Sequence, residues 1–113
     1  MGNKIIYNKL VRDRIPEIIK SRGDIPETKI LDEEDYIKRL DEKLFEECTE
    51  LLEAKTKKEI LGEMADVQEV LRAKADFMGI SMDEVEEVRV KKAEERGAFK
   101  NKILLKSTTS REG

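Results

Sequence analysis

The sequence predicts an all-α fold, an antiparallel bundle of three long helices preceded by one short helix. Two motifs of the capping-box type, which begin at Thr56 and Ser81, mark helix starts. Apolar residues recur at spacings of three and four over long segments. Charged residues make up 43% of the 113 residues and aromatic residues 4%, a composition that suits helices with solvated faces. Since so short a chain buries little surface alone, we expect oligomerisation to complete the bundle.

The N-terminal part of the chain contains the short helix. An apolar run at residues 4–7 is expected to be extended. Pro16 suits the first turn of a helix from about Ile15 to Arg22, and Gly23 ends it. Residues 24–31 then form an extended connector.

Three long helices follow in order. The first is capped near Asp32 and continues to about Ala54. The second runs from about Lys57 to Met78, and Gly79 closes it. The third opens at Ser81 and continues to about Arg96. Short connections between long helices are typical of an antiparallel bundle.

The C-terminal residues are predicted to be less regular. The apolar run at residues 103–105 predicts a short strand that pairs with Ile5 and Ile6. The polar tail at residues 107–113 is expected to be disordered. Residues 1–106 are therefore expected to form one domain.

Two pairs of acidic residues lie on the first two long helices. Glu47 and Glu50 are three residues apart, as are Glu63 and Asp66, so each pair shares one helix face. If the chain turns back near Thr56 as a helical hairpin, the two pairs lie equally far from the turn. The four carboxylates then fall at matching heights.

Two of these acids interrupt apolar stripes. Glu47 stands in a stripe on the first helix and Glu63 in one on the second, formed by Ile37, Leu40, Leu44 and Leu51, and by Ile60, Val67, Val70 and Phe77. Buried carboxylates need a counter-charge or become neutral, and magnesium suits an all-oxygen site. The sequence therefore predicts a metal site. Because 26 residues are acidic, a solvated acidic face is the alternative.

Basic residues concentrate near the two ends of the chain. Lys9 and Arg12 precede the short helix, where they either belong to a solvated segment or contact phosphates. Lys92 and Arg96 are four apart on the third long helix. They either complement the helix dipole or clamp a phosphate above the acidic residues. Spacing alone does not decide between these interpretations.

Composition excludes several functions. The chain has no histidine and one cysteine, which excludes histidine catalysis and histidine-ligated zinc, and Cys48 is expected to be a small buried hydrophobe. A net charge of −3 argues against a nucleic-acid partner. No signal peptide is recognisable and no apolar run approaches the roughly 18 residues of a membrane span, so we expect a cytoplasmic protein with no membrane partner.

The acidic motif resembles that of a known superfamily. The sequences E-E-x-x-E from Glu46 and E-x-x-D from Glu63 resemble the signature of the all-α nucleoside triphosphate pyrophosphohydrolases, which include MazG-like enzymes, dimeric dUTPases and phosphoribosyl-ATP pyrophosphohydrolase. The opening sequence YNKLVRDRIP at residues 7–16 and KAEERGAF at residues 92–99 are similar to a small MazG-like branch of predicted house-cleaning pyrophosphatases. The resemblance covers nearly the whole chain.

The resemblance implies a role for each site residue. Four acids would be ligands of magnesium, with manganese as the alternative, and four basic residues would meet the triphosphate: Glu47, Glu50, Glu63 and Asp66, and Lys9, Arg12, Lys92 and Arg96. Glu46 lies beside these ligands, where it would complete the site or orient the attacking water.

The implied activity is metal-dependent hydrolysis of a nucleoside triphosphate, standard or modified, to the monophosphate and pyrophosphate. Members of the superfamily typically work as homodimers or as dimers of dimers. Two alternatives stay open. One is a biosynthetic pyrophosphohydrolase of the phosphoribosyl-ATP type, and the other is a helical interaction module without catalysis.

Overall fold

The computed structural model describes residues 2–111, and over these residues the chain is all-α, with four helices and no strand. They are α1 (Ile15–Ser21), α2 (Glu33–Glu53), α3 (Lys57–Phe77) and α4 (Met82–Arg96). The predicted all-α class is confirmed. Each helix ends within about one residue of its predicted bounds, the usual uncertainty at a helix end.

Local residue chemistry defines the ends of the long helices. Asp32, Thr56 and Ser81 are the N-caps of α2, α3 and α4, and each side-chain oxygen accepts a hydrogen bond from the amide three residues later. Such a bond satisfies an amide that has no partner within the helix. Gly79 and Gly97 follow α3 and α4 with φ of +70° and +81°, a conformation that glycine adopts without strain.

Helices α2 and α3 pack together as an antiparallel hairpin. Near the open end of the hairpin, the Tyr36 and Phe77 rings meet edge to face with centroids 5.7 Å apart. One turn further in, Lys74 Nζ lies 2.7 Å from Asp41 Oδ1. The start of α2 therefore lies beside the end of α3, as the predicted turn near Thr56 requires.

The hairpin has a small apolar core. Among the described residues, the buried apolar side chains are Leu40, Val70 and Ala75. Cys48 on α2 is half-buried. Many other large apolar side chains are exposed, which agrees with the expectation that so short a chain buries little surface alone.

The chain divides into two compact units between Ile80 and Ser81. The first unit contains α1, α2 and α3, and the second contains α4 and the residues that follow it. The organisation of residues 1–106 as one domain stays a prediction. No helix among the described residues is long and apolar enough to cross a membrane.

The prediction of a strand at residues 103–105 is wrong. Among the described residues, neither this run nor Ile5 and Ile6 forms a strand. A strand requires a neighbouring backbone that exchanges hydrogen bonds with it, which an apolar run alone does not supply. Lys102, with φ of +57°, instead donates to the Phe99 carbonyl in a turn before the run. Residues 107–111 of the predicted disordered tail are exposed, and residues 112 and 113 lie outside the described part.

Candidate metal centre

Three of the four predicted acidic ligands converge between α2 and α3. Glu47, Glu50 and Glu63 each offer a carboxylate oxygen, and these oxygens lie within 4.8 Å of one another. Glu47 and Glu50 share a face of α2 because they are one turn apart. Glu63 approaches them from the facing α3. We call these three residues the carboxylate cluster.

The burial of the carboxylate cluster is uneven. Glu47 is 7% exposed, Glu63 is half-buried and Glu50 is exposed. Glu47 Oε2 and Glu63 Oε2 are buried and have no hydrogen-bond partner among the described residues. A buried carboxylate oxygen without a partner is costly. Since the surrounding donors are carboxylate oxygens, which hard divalent cations prefer, these residues fit such a cation.

Burial also changes the acidity of the cluster. Desolvation raises the pKa of Glu47, and its contacts with Glu50 raise that pKa further. Desolvation likewise raises the pKa of Glu63, with a further contribution from the charge of Asp66. Without a cation, the site therefore disfavours the ionised form of both carboxyl groups.

These shifts predict how the stability of the metal-free protein depends on pH. Both pKa values lie above their ordinary value of 4.5 in the folded state. Between the unfolded-state and folded-state values the folded chain binds more protons, so the free energy of unfolding decreases as pH rises through this window. We expect urea unfolding in chelator between pH 4.5 and 8 to show this decrease.

The matched control for the pH experiment is the double variant Glu47→Gln, Glu63→Gln, which lacks both carboxyl groups. Its free energy of unfolding should decline less with rising pH than that of the wild type. Equal slopes for the two proteins would contradict the effect of burial on these groups.

Asp66, the fourth predicted ligand, lies outside the carboxylate cluster and forms an ion pair with Arg12 of the N-terminal segment. Asp66 Oδ1 accepts a hydrogen bond of 2.6 Å from Arg12 Nη2. Both side chains are more than a third exposed, and exposed ion pairs contribute little to stability. The role of Asp66 as a ligand stays a prediction, as do those of the cluster residues.

Glu46 is in the opposite electrostatic situation to its neighbour Glu47. Glu46 Oε1 lies 2.9 Å from Lys9 Nζ. The hydrogen bond from Lys9 lowers the pKa of Glu46, and the same bond raises the pKa of Lys9. Adjacent residues on α2 thus differ in their tendency to ionise, with Glu46 held as a carboxylate.

The segment of residues 8–12 straddles the hairpin. Lys9 contacts Glu46 on α2, and Arg12 contacts Asp66 on α3. Asn8 has φ of +46°, and its carbonyl accepts a hydrogen bond of 3.3 Å from Arg39 Nη1. Lys9 and Arg12, predicted to bind phosphates, therefore lie beside the acidic residues.

Lys43 is a site residue that the motif analysis missed. Lys43 Nζ lies 3.4 Å from Glu47 Oε1 and 3.6 Å from Glu46 Oε2. The spacings of four and three residues along α2 are those at which side chains of a helix meet, so this signal is present in the sequence. Lys92 and Arg96 lie on α4 in the second unit, and their phosphate-binding role stays a prediction.

The fold and the site define an all-α protein whose candidate metal centre is built from carboxylates of an antiparallel helical hairpin. A family model described as phosphoribosyl-ATP pyrophosphohydrolase matches residues 12–93, which is well over half of the chain and includes every acidic site residue. The chain therefore belongs to the phosphoribosyl-ATP pyrophosphohydrolase family, as the predicted resemblance to this superfamily implied. The description of that family names a pyrophosphohydrolase activity.

Part of the chain is also similar in sequence to a curated protein. A protein of Mycolicibacterium smegmatis described as uncharacterized is 47% identical over 49 residues, which cover 43% of this chain and 50% of that protein. The chain thus spans about half the length of the curated relative it matches. No solved structure matches the chain.

Proposed function

We propose that the protein is a magnesium-dependent nucleotide pyrophosphohydrolase that cleaves the bond between the α and β phosphates of a nucleoside triphosphate. The products are the monophosphate and pyrophosphate. The observation that carries this proposal is the pair of buried oxygens, on Glu47 and Glu63 within the carboxylate cluster, that have no hydrogen-bond partner among residues 2–111. Family membership supports the reaction class. Manganese is the alternative ion.

The charges of the site also favour a divalent cation. Five acidic side chains face three basic ones: Glu46, Glu47, Glu50, Glu63 and Asp66, and Lys9, Arg12 and Lys43. Two formal negative charges are left over when all eight groups are ionised, which is the charge that one divalent cation neutralises. A substrate phosphate would add negative charge and would require further cations.

Each group of residues has a distinct task in the proposed reaction. The carboxylate cluster and Asp66 would hold the cation, which would supply charge neutralisation of the phosphates and a more acidic water. Before substrate binds, Lys9 holds Glu46 ionised. Once Lys9 leaves Glu46 for a phosphate, the free Glu46 carboxylate orients water and accepts its proton. Lys9 and Arg12 contact the substrate phosphates in exchange for their present carboxylate partners.

Exposed apolar side chains support a homo-oligomer as the active form. Phe45 and Leu52 on α2 and Leu61 and Met64 on α3 are more than half exposed. Exposed apolar residues of this number on one hairpin favour burial against another chain. We propose a homodimer or homotetramer in the cytoplasm, with a nucleotide as its substrate and with neither nucleic acid nor membrane as a partner.

A second candidate function differs from the proposed one in its substrate. The matched family is described by phosphoribosyl-ATP, which favours a biosynthetic nucleotide over a free triphosphate. The N-terminal motif at residues 7–16 instead favours the house-cleaning branch and a modified nucleotide. Both candidates share the metal centre and the bond that is cleaved.

A panel of standard, modified and phosphoribosyl nucleotides, assayed for pyrophosphate release with magnesium and with chelator, separates these candidates. We expect magnesium-dependent release of pyrophosphate together with a monophosphate, and kcat/KM then ranks the substrates. A preference for phosphoribosyl-ATP would select the biosynthetic alternative. Absence of release from every nucleotide by folded protein would favour the helical interaction module and contradict the proposed function.

A further inference from the structure

Lys43 lies at the junction between the carboxylate cluster and Glu46. Its ammonium group is within 4 Å of Glu47 Oε1 and Glu46 Oε2, at 3.4 and 3.6 Å. The side chain is only 21% exposed and Glu47 is buried, so water screens the contact with Glu47 less than it screens an ion pair at the surface.

Lys43 differs from the two other basic residues of the site in its sequence distance from its carboxylate partners. Lys9 and Arg12 reach their carboxylates from the N-terminal segment, across 37 and 54 residues of sequence. Lys43 is on the same helix as its partners, four and three residues before them. Movement of the N-terminal segment would therefore separate Lys9 and Arg12 from the acids but would leave Lys43 in place.

The two oxygens of Glu47 have different environments. Oε1 faces Lys43, while Oε2 is buried without a hydrogen-bond partner among the described residues. Lys43 therefore compensates part of the charge of Glu47 and leaves the other oxygen available to a cation. Because the ammonium group and a metal ion carry charge of the same sign, both next to Glu47, each disfavours the other.

We propose that Lys43 is the resident counter-ion of the metal centre, which stabilises Glu46 and Glu47 in the metal-free protein and lowers the affinity for the metal. This inference rests on the proposed function. The pocket between residues 8–10 and the α2 face that carries Arg39 and Lys43 gives the lysine side chain room to move when a cation binds. Lys43 thus sets the concentration at which the centre fills.

The test is a titration with Mn²⁺ at pH 8, monitored by electron paramagnetic resonance. We expect Lys43→Met to bind Mn²⁺ about tenfold more tightly than the wild type, a change equivalent to about 1.4 kcal/mol. Lys43→Arg keeps the charge and should bind Mn²⁺ within about twofold of the wild type. Lys74→Met is the matched control because Lys74 pairs with Asp41 elsewhere on the same hairpin, and it should leave the affinity unchanged.

Thermal unfolding in chelator is the second readout. Lys43→Met should lower the Tm of the metal-free protein, since it removes a partner of the buried Glu47, and Lys43→Arg should restore most of the loss. If Lys43→Met does not fold, Lys43→Gln replaces it with the same expectations, because it too removes the charge.

The outcomes separate this inference from the proposed function. Weaker or unchanged Mn²⁺ binding by Lys43→Met, with a wild type that binds the ion, would overturn the counter-ion role and leave the proposed function standing. Binding by Lys43→Met but not by the wild type would support the inference strongly. Absence of binding by both proteins would overturn the metal centre itself and the counter-ion role with it.

Discussion

Replacement of Glu63 by glutamine is expected to abolish turnover while the protein stays folded. Glu63 brings the α3 carboxylate to the two acids of α2, and an amide is neutral and a weaker ligand for a hard cation. Loss of groups that merely orient a metal ligand costs about 10–100-fold, so loss of the ligand itself should reduce the rate of pyrophosphate release by more than about 100-fold. The fold should survive because the substitution relieves repulsion among the carboxylates.

The matched control for this variant is Glu69→Gln, an identical change at an exposed position of α3. It should retain wild-type turnover. The Tm of Glu63→Gln in chelator should equal or exceed that of the wild type, which would show that the lost activity does not reflect unfolding. Wild-type turnover by Glu63→Gln would mean that Glu63 is not a ligand.

Replacement of Glu47 by leucine should stabilise the metal-free protein and remove its response to metal. Glu47 is 7% exposed and occupies a position in the apolar stripe between Leu44 and Leu51. A leucine there continues the stripe and removes a buried oxygen that has no partner in the described part of the chain. Burial of such a group costs roughly 1–3 kcal/mol in proteins. We expect the free energy of unfolding in chelator, measured with urea, to increase by an amount in this range.

The same Glu→Leu change at the exposed Glu69 serves as the control and should leave the free energy of unfolding nearly unchanged. Added magnesium should raise the Tm of the wild type and of this control but not that of Glu47→Leu. A less stable Glu47→Leu would indicate that Glu47 contributes to folding without a cation, contrary to the interpretation of its buried oxygen.

Much of the fold is local and was therefore predictable. The caps at Asp32, Thr56 and Ser81 act on amides within the next turn, so the sequence indicates where α2, α3 and α4 begin. The prediction of a strand at residues 103–105 was wrong because a strand is not a local feature. It depends on hydrogen bonds to a backbone segment that is distant in sequence. A local apolar run does not specify one.

The site was predictable to the extent that it depends on helix periodicity. Glu47 interrupts an apolar stripe, and this interruption correctly indicated its burial. The hairpin placed Glu63 opposite Glu47 and Glu50 because the turn position could be read from Thr56. The pairing of Lys43 with the adjacent acids also follows from helix spacing, although Lys43 lies outside the acidic motif.

The contacts of the N-terminal segment could not be predicted from spacing. Arg12 and Asp66 are 54 residues apart, and their ion pair depends on how residues 8–12 cross the hairpin. That path includes Asn8 with a positive φ, which no hydrophobic pattern indicates. Asp66 therefore contacts Arg12, although the sequence motif groups it with the carboxylate cluster.

Equilibrium binding of Mn²⁺ to the wild type and to Glu63→Gln tests most directly whether α2 and α3 together form one metal centre. We expect saturable binding to the wild type that competes with Mg²⁺, and a loss of affinity of more than about tenfold in Glu63→Gln. Equal affinity in the two proteins, or no binding to the wild type, would contradict a centre shared by the two helices.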